Sequence, residues 1–259
     1  MGKKDYRGIG LVEVMWKVVA AILNRRFKSS ITYHNFLHGF RASRGTGTVT
    51  LEAKLLQQLA ALREEVLCMI LLDLHKAYDA LDRSRCLEIL EGYGVGLKAR
   101  ILLQTYWHSL TMVAQAGGYY GTLFRGERGV TQGDPLSPKI FTVVVDAVVR
   151  HWVHGVVKEL EARGETGREG RHQTVLFYAK DGMVASLDPN CLQGTFHALV
   201  GLFDRMGLQT NARKIVGIVC HPCQLAGNTT QTAYRRIHTG GRELVQGTTS
   251  VSGVVRGVR

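Results

Sequence analysis

Two carboxylates stand where chemistry could be done. Asp73 closes an almost unbroken apolar run, VLCMILLDL (66–74), and Asp181 lies in FYAKDG (177–182), between the apolar runs TVL and MVAS. A buried strand that ends in an acid is unusual, because an unpaired buried charge is costly. The plain alternative is that Asp73 begins a turn or caps the next element. If the strand and the loop lie side by side, their acids meet at one sheet edge. That is the ligand type a hard divalent cation requires; Mg²⁺ takes few protein oxygens and completes its shell with water and substrate phosphates. Two such ions ~3.5–4 Å apart can serve phosphoryl transfer. Lys180, next to Asp181, cannot join them, since an ammonium carries only donors.

The elements that would position these acids can be read from periodicity. Residues 66–74 predict a strand buried on both faces. TVLFY and GMVAS (174–178 and 182–186) predict a hairpin joined across Ala-Lys-Asp-Gly, with Asp-Gly as the turn signal. Val12, Trp16, Val19, Leu23 and Phe27 mark one helix face. Leu51, Leu55, Leu59, Leu62 and Val66 mark a second, with Thr50 as its expected N-cap and Glu52 in its first turn. Helical patterns recur over 84–92, 97–110 and 192–206. A glycine-punctuated β-like stretch covers 112–129. Pro138 stands where a first helical turn would begin, and Phe141, Val145, Val148, Trp152 and Val156 continue that helix. Residues 161–173 read as an exposed loop and the tail beyond Thr239 as poorly ordered.

The 259 residues, 45% hydrophobic, suffice for one large domain or two lobes with real cores. The formal net charge of +12 favours a polyanionic partner, nucleic acid before anionic membrane. The surplus is uneven: residues 1–47 hold nine Lys/Arg against two Asp/Glu. Five scattered cysteines point to a reducing compartment. No segment approaches the ~20 apolar residues of a membrane span, and no cleavable leader is visible. The expectation is therefore an intracellular protein, in cytoplasm or nucleus. Cys220 and Cys223, in CHPC with His221 and His238 nearby, lack the second pair a structural zinc site uses, so zinc is disfavoured.

LDLHKAYDALDR (72–83), RGVTQGDPLSP (128–138) and FYAKDG (177–182) together resemble the motif series of reverse transcriptases. The likeness is strongest to those of non-LTR retrotransposons and group II introns. YRGIGLVEVMWKVVAAILNRR (6–26) and HGFRASRGT (38–46) resemble the finger motifs upstream, and GLQTNARK (207–214) the element after the catalytic hairpin. The match runs over roughly residues 5–220.

The resemblance implies an α+β fold, a right-hand polymerase with an α/β palm, an antiparallel sheet and mostly helical fingers. Residues 1–66 would be fingers, 67–225 palm with finger elements around 97–127, and 226–259 a poorly ordered tail, with the thumb absent or truncated. Asp73 and Asp181 would be catalytic metal ligands for Mg²⁺, with Mn²⁺ as a substitute. Tyr78 would lie under the sugar of the incoming nucleotide and exclude a 2′-hydroxyl. Gln132 and Gly133 would line the nucleotide and template pocket. Tyr178 would be the outer aromatic of the Tyr-x-Asp-Asp box, Arg41 and Arg44 would handle template and triphosphate, and Lys214 would face the triphosphate. Asp79 and Arg83 match positions read as structural. The implied partners are an RNA template, a DNA primer and dNTPs. Lys180 occupies the position of the box's first aspartate, a metal ligand in the family. Three readings stay open: an RNA-directed DNA polymerase, a nucleic-acid-binding remnant without synthesis, and an RNA polymerase on a similar palm, which Tyr78 disfavours.

Overall fold

The computed structural model describes residues 9–158, 173–222 and 233–235. The chain divides into two compact units. The first comprises residues 1–33, 76–147 and 205–208; the second comprises 34–75, 148–204 and 209–259.

In the second unit, strands β1 (Leu67–Asp73), β4 (Thr174–Tyr178), β5 (Asp181–Ser186), β6 (Val216–Cys220) and β7 (Ala233–Arg235) form one sheet in the order β4-β5-β1-β6-β7. Every neighbouring pair is antiparallel. β1 lies at the centre, which explains its continuous apolar run. Leu67, Met69 and Leu71 share one face with Met183, Ala185, Leu176 and Ile218. Val49, Ala53, Leu56 and Ala60 of helix α2 (Thr46–Leu62) pack over that face. Phe177 meets Phe203 of a later helix (Pro189–Arg205) edge-on, with ring centroids 5.5 Å apart. Trp152, fully buried, donates its indole N–H to the Thr195 carbonyl at 2.7 Å.

Two expectations for α2 are corrected. The helix begins at Thr46 rather than after Thr50, because the Thr48 hydroxyl accepts the Gly45 amide at 3.0 Å and holds the first turn. Its leucine stripe does not face the core. Leu51, Leu55, Leu59 and Leu62 are exposed, and Ala60 is the helix's buried residue. The smaller side chains Val49 and Ala53 let α2 approach the sheet, so the packed face is displaced from the leucine row.

His38 anchors the start of α2. It is fully buried, with Nδ1 2.8 Å from the Thr48 hydroxyl and Nε2 3.2 Å from a Glu52 carboxylate oxygen. Burial pushes its pKa below the usual 6.5; the Arg44 and Arg41 charges add to this, and Glu52 opposes it. A depressed histidine pKa means the unfolded chain takes up the proton first as pH falls. The stabilisation is therefore complete above pH ~6.5 and is lost toward lower pH. We expect the melting temperature to fall between pH 7.5 and 5.5, and His38→Gln to flatten that dependence. An unchanged slope in the variant would show that His38 is not the group responsible.

The first unit holds helices α1 (Val14–Ser30), α3 (Ala77–Ala80), α4 (Arg83–Gly92) and α5 (Leu97–Ser109) and a two-stranded hairpin, β2 (Thr111–Ala116) with β3 (Tyr119–Arg125). Helix α6 (Ser137–His151) comes next and continues as a π-helical turn, Trp152–Val157. α1 buries Trp16, Ala20, Leu23 and Phe27, close to the face its spacing predicts. Trp16 stacks on Tyr106 at 3.5 Å and donates its indole N–H to Asp134 at 2.7 Å. The other Asp134 oxygen accepts the Leu136 amide at 2.9 Å. Asp134 thus pins α1 and the approach to α6 from one buried position. Asp134→Ala should cost roughly 2–3 kcal/mol, the value of losing charge-assisted bonds and stranding a buried indole donor, measurable as a lower urea midpoint with unchanged slope. A midpoint equal to that of the unaltered chain would refute this role.

Candidate active site

The hairpin β4–β5 sets the site. Its turn is Ala179-Lys180, not the Asp-Gly pair that sequence favours: Tyr178 pairs with Asp181, and Phe177 with Gly182. Ala179 takes the left-handed conformation at φ +53°, the first-position geometry of a type II′ turn. Gly182 is needed inside the strand for another reason, since a Cβ there would lie 2.5 Å from the Phe177 ring. Residues 36–39 brace the outer side of β4: the Phe177 amide donates to Phe36 and the His38 amide to the Phe177 carbonyl, at 2.9 and 2.8 Å. Gly39 passes so close that a Cβ would come within 2.4 Å of the Ala179 nitrogen. The turn carrying Lys180 is therefore held from behind.

β5 pairs with β1 in a register that sets Asp73 directly opposite Asp181. Directly opposed residues have Cβ atoms ~4.5–5.5 Å apart on one face, so the two acids converge at the end of the sheet. Residues 209–214 close a third side. The His75 amide donates to the Gln209 carbonyl at 2.8 Å, and the Asn211 amide to the Asp73 carbonyl at 2.7 Å. A 3₁₀ turn, Ala212–Lys214, then brings Lys214 inward.

Asp73 is buried, and cationic or amide donors meet both of its oxygens. The Lys180 ammonium lies 2.6 Å from Oδ1, the Lys214 ammonium 3.0 Å from Oδ2, and Asn211 Nδ2 3.3 Å from Oδ2. Burial by itself would raise the Asp73 pKa, but hydrogen bonds and charge from Lys180 and Lys214 outweigh it and hold the carboxyl below its ordinary value. Asp181 goes the other way. Desolvation raises it first, the Lys180 charge opposes, and the neighbouring Asp73 raises it further. One acid is held ionised and the other is made easier to protonate.

Asp73, Asp181, Lys180 and Lys214 thus come together. Asn211 joins them without having been singled out in sequence; its signal was the position in GLQTNARK, three residues before Lys214. Tyr178 ends β4 opposite Asp181. Arg41 and Arg44 have internal partners: Arg41 donates to the His34 and Leu37 carbonyls, both at 2.7 Å, and Arg44 to the Asn35 carbonyl at 2.6 Å. Tyr78, Gln132 and Gly133 belong to the first unit. There the Tyr78 ring stacks on Phe141 at 4.9 Å, and burial pushes its hydroxyl pKa up to about 12. The Gln132 carbonyl accepts the Gly10 amide at 2.6 Å, and Gly133, at φ +115°, passes so close to Gly10 that a Cβ would strike its carbonyl at 2.4 Å. Cys220 is described, half-buried, 3.8 Å from the Gln57 amide; Cys223 and His238 lie outside the described residues.

A central antiparallel sheet with helices, carrying acids at the end of its middle strand and at an adjacent hairpin, is a polymerase-palm arrangement. The chain matches the family of reverse transcriptases (RNA-dependent DNA polymerases) over residues 1–235 and belongs to it. It is 28% identical over 147 residues to the Pol polyprotein of the type-2 retrotransposable element R2DM of Drosophila melanogaster, covering 57% of this chain and 14% of that protein. It is 25% identical over 218 residues to that of the R2 element of Popillia japonica, covering 83% and 29%. The chain thus spans less than a third of the length of the curated relatives it matches. Among solved structures, apo telomerase from Candida tropicalis superposes with a TM-score of 0.56 at 15% identity, covering 79% of this chain and 35% of that one. A form truncated of its C-terminal domain gives 0.55 at 17% identity, covering 85% and 42%. The fold is that of a reverse transcriptase, of non-LTR retrotransposon kinship.

Reverse transcriptase domains use divalent metal ions. The residues at this site do not fit such an ion. Both Asp73 oxygens already face ammonium groups, and among the described residues no cluster of three or more His, Cys, Asp or Glu could hold a metal. A unit charge ~4 Å away at an effective dielectric of ~20 is worth ~4 kcal/mol per unit of opposing charge. The Lys180 side chain is 30% exposed, so screening reduces this, but the missing ligand remains. No helix among the described residues is long and apolar enough to cross a membrane.

Proposed function

We propose that this chain is a retroelement reverse transcriptase domain that holds an RNA template and a DNA primer but has lost nucleotide addition through Lys180. The carrying observation is the 2.6 Å ion pair between Lys180 and Asp73: the chain supplies its own cation at the position where the family uses a metal. In this reading residues 1–66 are fingers and 67–225 are palm with finger elements around 97–127, and β7 (Ala233–Arg235) adds a strand to the palm sheet. The family resemblance is what assigns Tyr78, Gln132, Gly133 and Tyr178 to nucleotide and template. Arg41 and Arg44 shape the loop that meets the template, and Lys214 divides its charge between Asp73 and solvent. The net charge of +12 and the basic first 47 residues supply the polyanion affinity.

The test is paired. Labelled RNA–DNA primer–template should bind the unaltered chain with steep salt dependence, and the same protein with dNTPs and Mg²⁺ should leave the primer unextended. Absent binding would remove the nucleic-acid reading. Extension by the unaltered chain would show that Lys180 swings clear of Asp73 and that the polymerase is intact.

A further inference from the structure

The hairpin β2–β3 takes no part in the site just described. A two-residue turn, Gly117-Gly118, joins it with φ of +57° and +84°, both positive as a type I′ turn demands. Among the described residues its two strands pair only with each other, which leaves both outer edges without a ladder partner there. Nearly every residue is exposed: Tyr119 at 83%, Tyr120 at 70% and Leu123 at 73%, with Val113 and Phe124 at 44% and 48%. A two-stranded hairpin with no further strand or covering layer is marginal in water, and five large apolar side chains left in solvent call for an occupant.

Charge says which occupant. From Gly92 to Gly126 the sequence contains no Asp or Glu. Arg125, on the hairpin's last residue, and Arg128, just beyond it, are exposed, and neither has a carboxylate partner among the described residues. The ladder carries a bulge between Val113 and Gln115, so Tyr120, Leu123 and Arg125 share one face of the hairpin, with Tyr119 and Phe124 on the other. Rings succeeded by guanidinium groups, with exposed Glu127 as the single carboxylate from Gly92 to Arg128, make a surface on which bases stack while phosphates meet positive charge. An apolar protein partner would have no use for that charge bias.

We propose that the β2–β3 hairpin is a stacking platform for single-stranded nucleic acid, with Tyr119 and Tyr120 under the bases and Arg125 and Arg128 on the phosphates. This rests on the nucleic-acid reading above but concerns a different surface and needs no nucleotide addition.

The experiment uses the full chain and fluorescence anisotropy with labelled oligo(U) and oligo(dT), with a blunt duplex as comparison. Tyr119→Ala and Tyr120→Ala should each weaken single-strand binding roughly five- to hundredfold and leave the duplex affinity nearly unchanged. Tyr→Phe at either position should retain binding, because the ring remains; Tyr→Leu should not. Both positions are exposed, so the variants should melt with the unaltered chain. Single-strand binding that survives both alanine changes overturns the platform, as does leucine performing as well as phenylalanine. So does a sedimentation shift from dimer to monomer in the alanine variants, which would make the hairpin a contact between copies of the chain. If the unaltered chain binds no primer–template, the broader reading has failed; if it binds but the tyrosines are silent, only this inference has.

Discussion

Lys180→Asp should raise Mg²⁺-dependent primer extension on a primed RNA template by roughly a hundredfold or more over the unaltered chain. The substitution acts twice. It removes an ammonium that lies 2.6 Å from Asp73 Oδ1, and it adds a carboxylate beside the two that β1 and β5 already bring together. Each unit of charge near a divalent ion is worth several kcal/mol at these separations, and each 1.4 kcal/mol is a factor of ten. Lys180→Ala separates the contributions: it removes the charge without adding a ligand and should recover much less. A binding readout accompanies the kinetic one. The Lys180→Asp protein packs three acids into one corner, so it should melt lower in EDTA than the parent and rise when Mg²⁺ is added, through ligand linkage. The parent should show little Mg²⁺ response. Equal extension by the parent and Lys180→Asp would end this account of the site.

The strand and the hairpin were legible in sequence because their determinants are local, whereas the meeting of Asp73 with Asp181, distant in sequence, was expected from the resemblance of the motif series. An apolar run ending in Asp can hardly be anything but a buried strand, and two apolar runs around a short polar segment make a hairpin. What periodicity could not fix was orientation. In α2 the leucines at 51, 55, 59 and 62 make the stronger apolar stripe, yet the helix packs through Val49, Ala53, Leu56 and Ala60. The depth of the sheet surface, which no single-sequence pattern encodes, decides that small side chains go inward. The turn was misplaced by two residues for a related reason. Asp-Gly favours a tight turn by its own torsions, but the β1–β5 register draws Asp181 into the strand opposite Asp73 and leaves Ala179 in the left-handed region. Asn211 escaped notice because its role depends on a long-range approach, 138 residues from Asp73 in sequence. Arg41 and Arg44, assigned to template and triphosphate by the resemblance, also have internal partners that no sequence pattern announced: backbone carbonyls for both, and Glu52 at 3.6 Å for Arg44.

The largest loss of stability should come from Arg83→Met. Arg83 Nε donates to the Gly129 carbonyl at 2.8 Å, and one terminal nitrogen donates to Gly126 at 2.5 Å and Trp107 at 3.2 Å. Its guanidinium also lies 5.8 Å from the centroid of the Trp107 ring. One half-buried side chain therefore ties the end of α5 and the exit of the hairpin to the start of α4. Burial lowers the Arg83 pKa, but no physiological pH deprotonates a guanidinium, so the tie is independent of pH. Methionine preserves the stem and its packing but leaves three carbonyls without their donor. Bonds to a charged donor are worth ~1.5–3 kcal/mol each and are not additive, so a total of roughly 3–4 kcal/mol is expected. For a chain of this size that is a fall of roughly 8–15 °C in melting temperature. Arg83→Lys should recover little, because a single ammonium cannot span three acceptors set by a planar fork. The effect should reach Tyr78 as well, since the Gly129 amide donates to the Leu81 carbonyl and the Val130 amide to the Tyr78 carbonyl, at 2.7 and 2.8 Å. A melting temperature within about 2 °C of the parent for Arg83→Met would mean that these carbonyls find water, and that the neighbouring backbone pairs hold this corner alone.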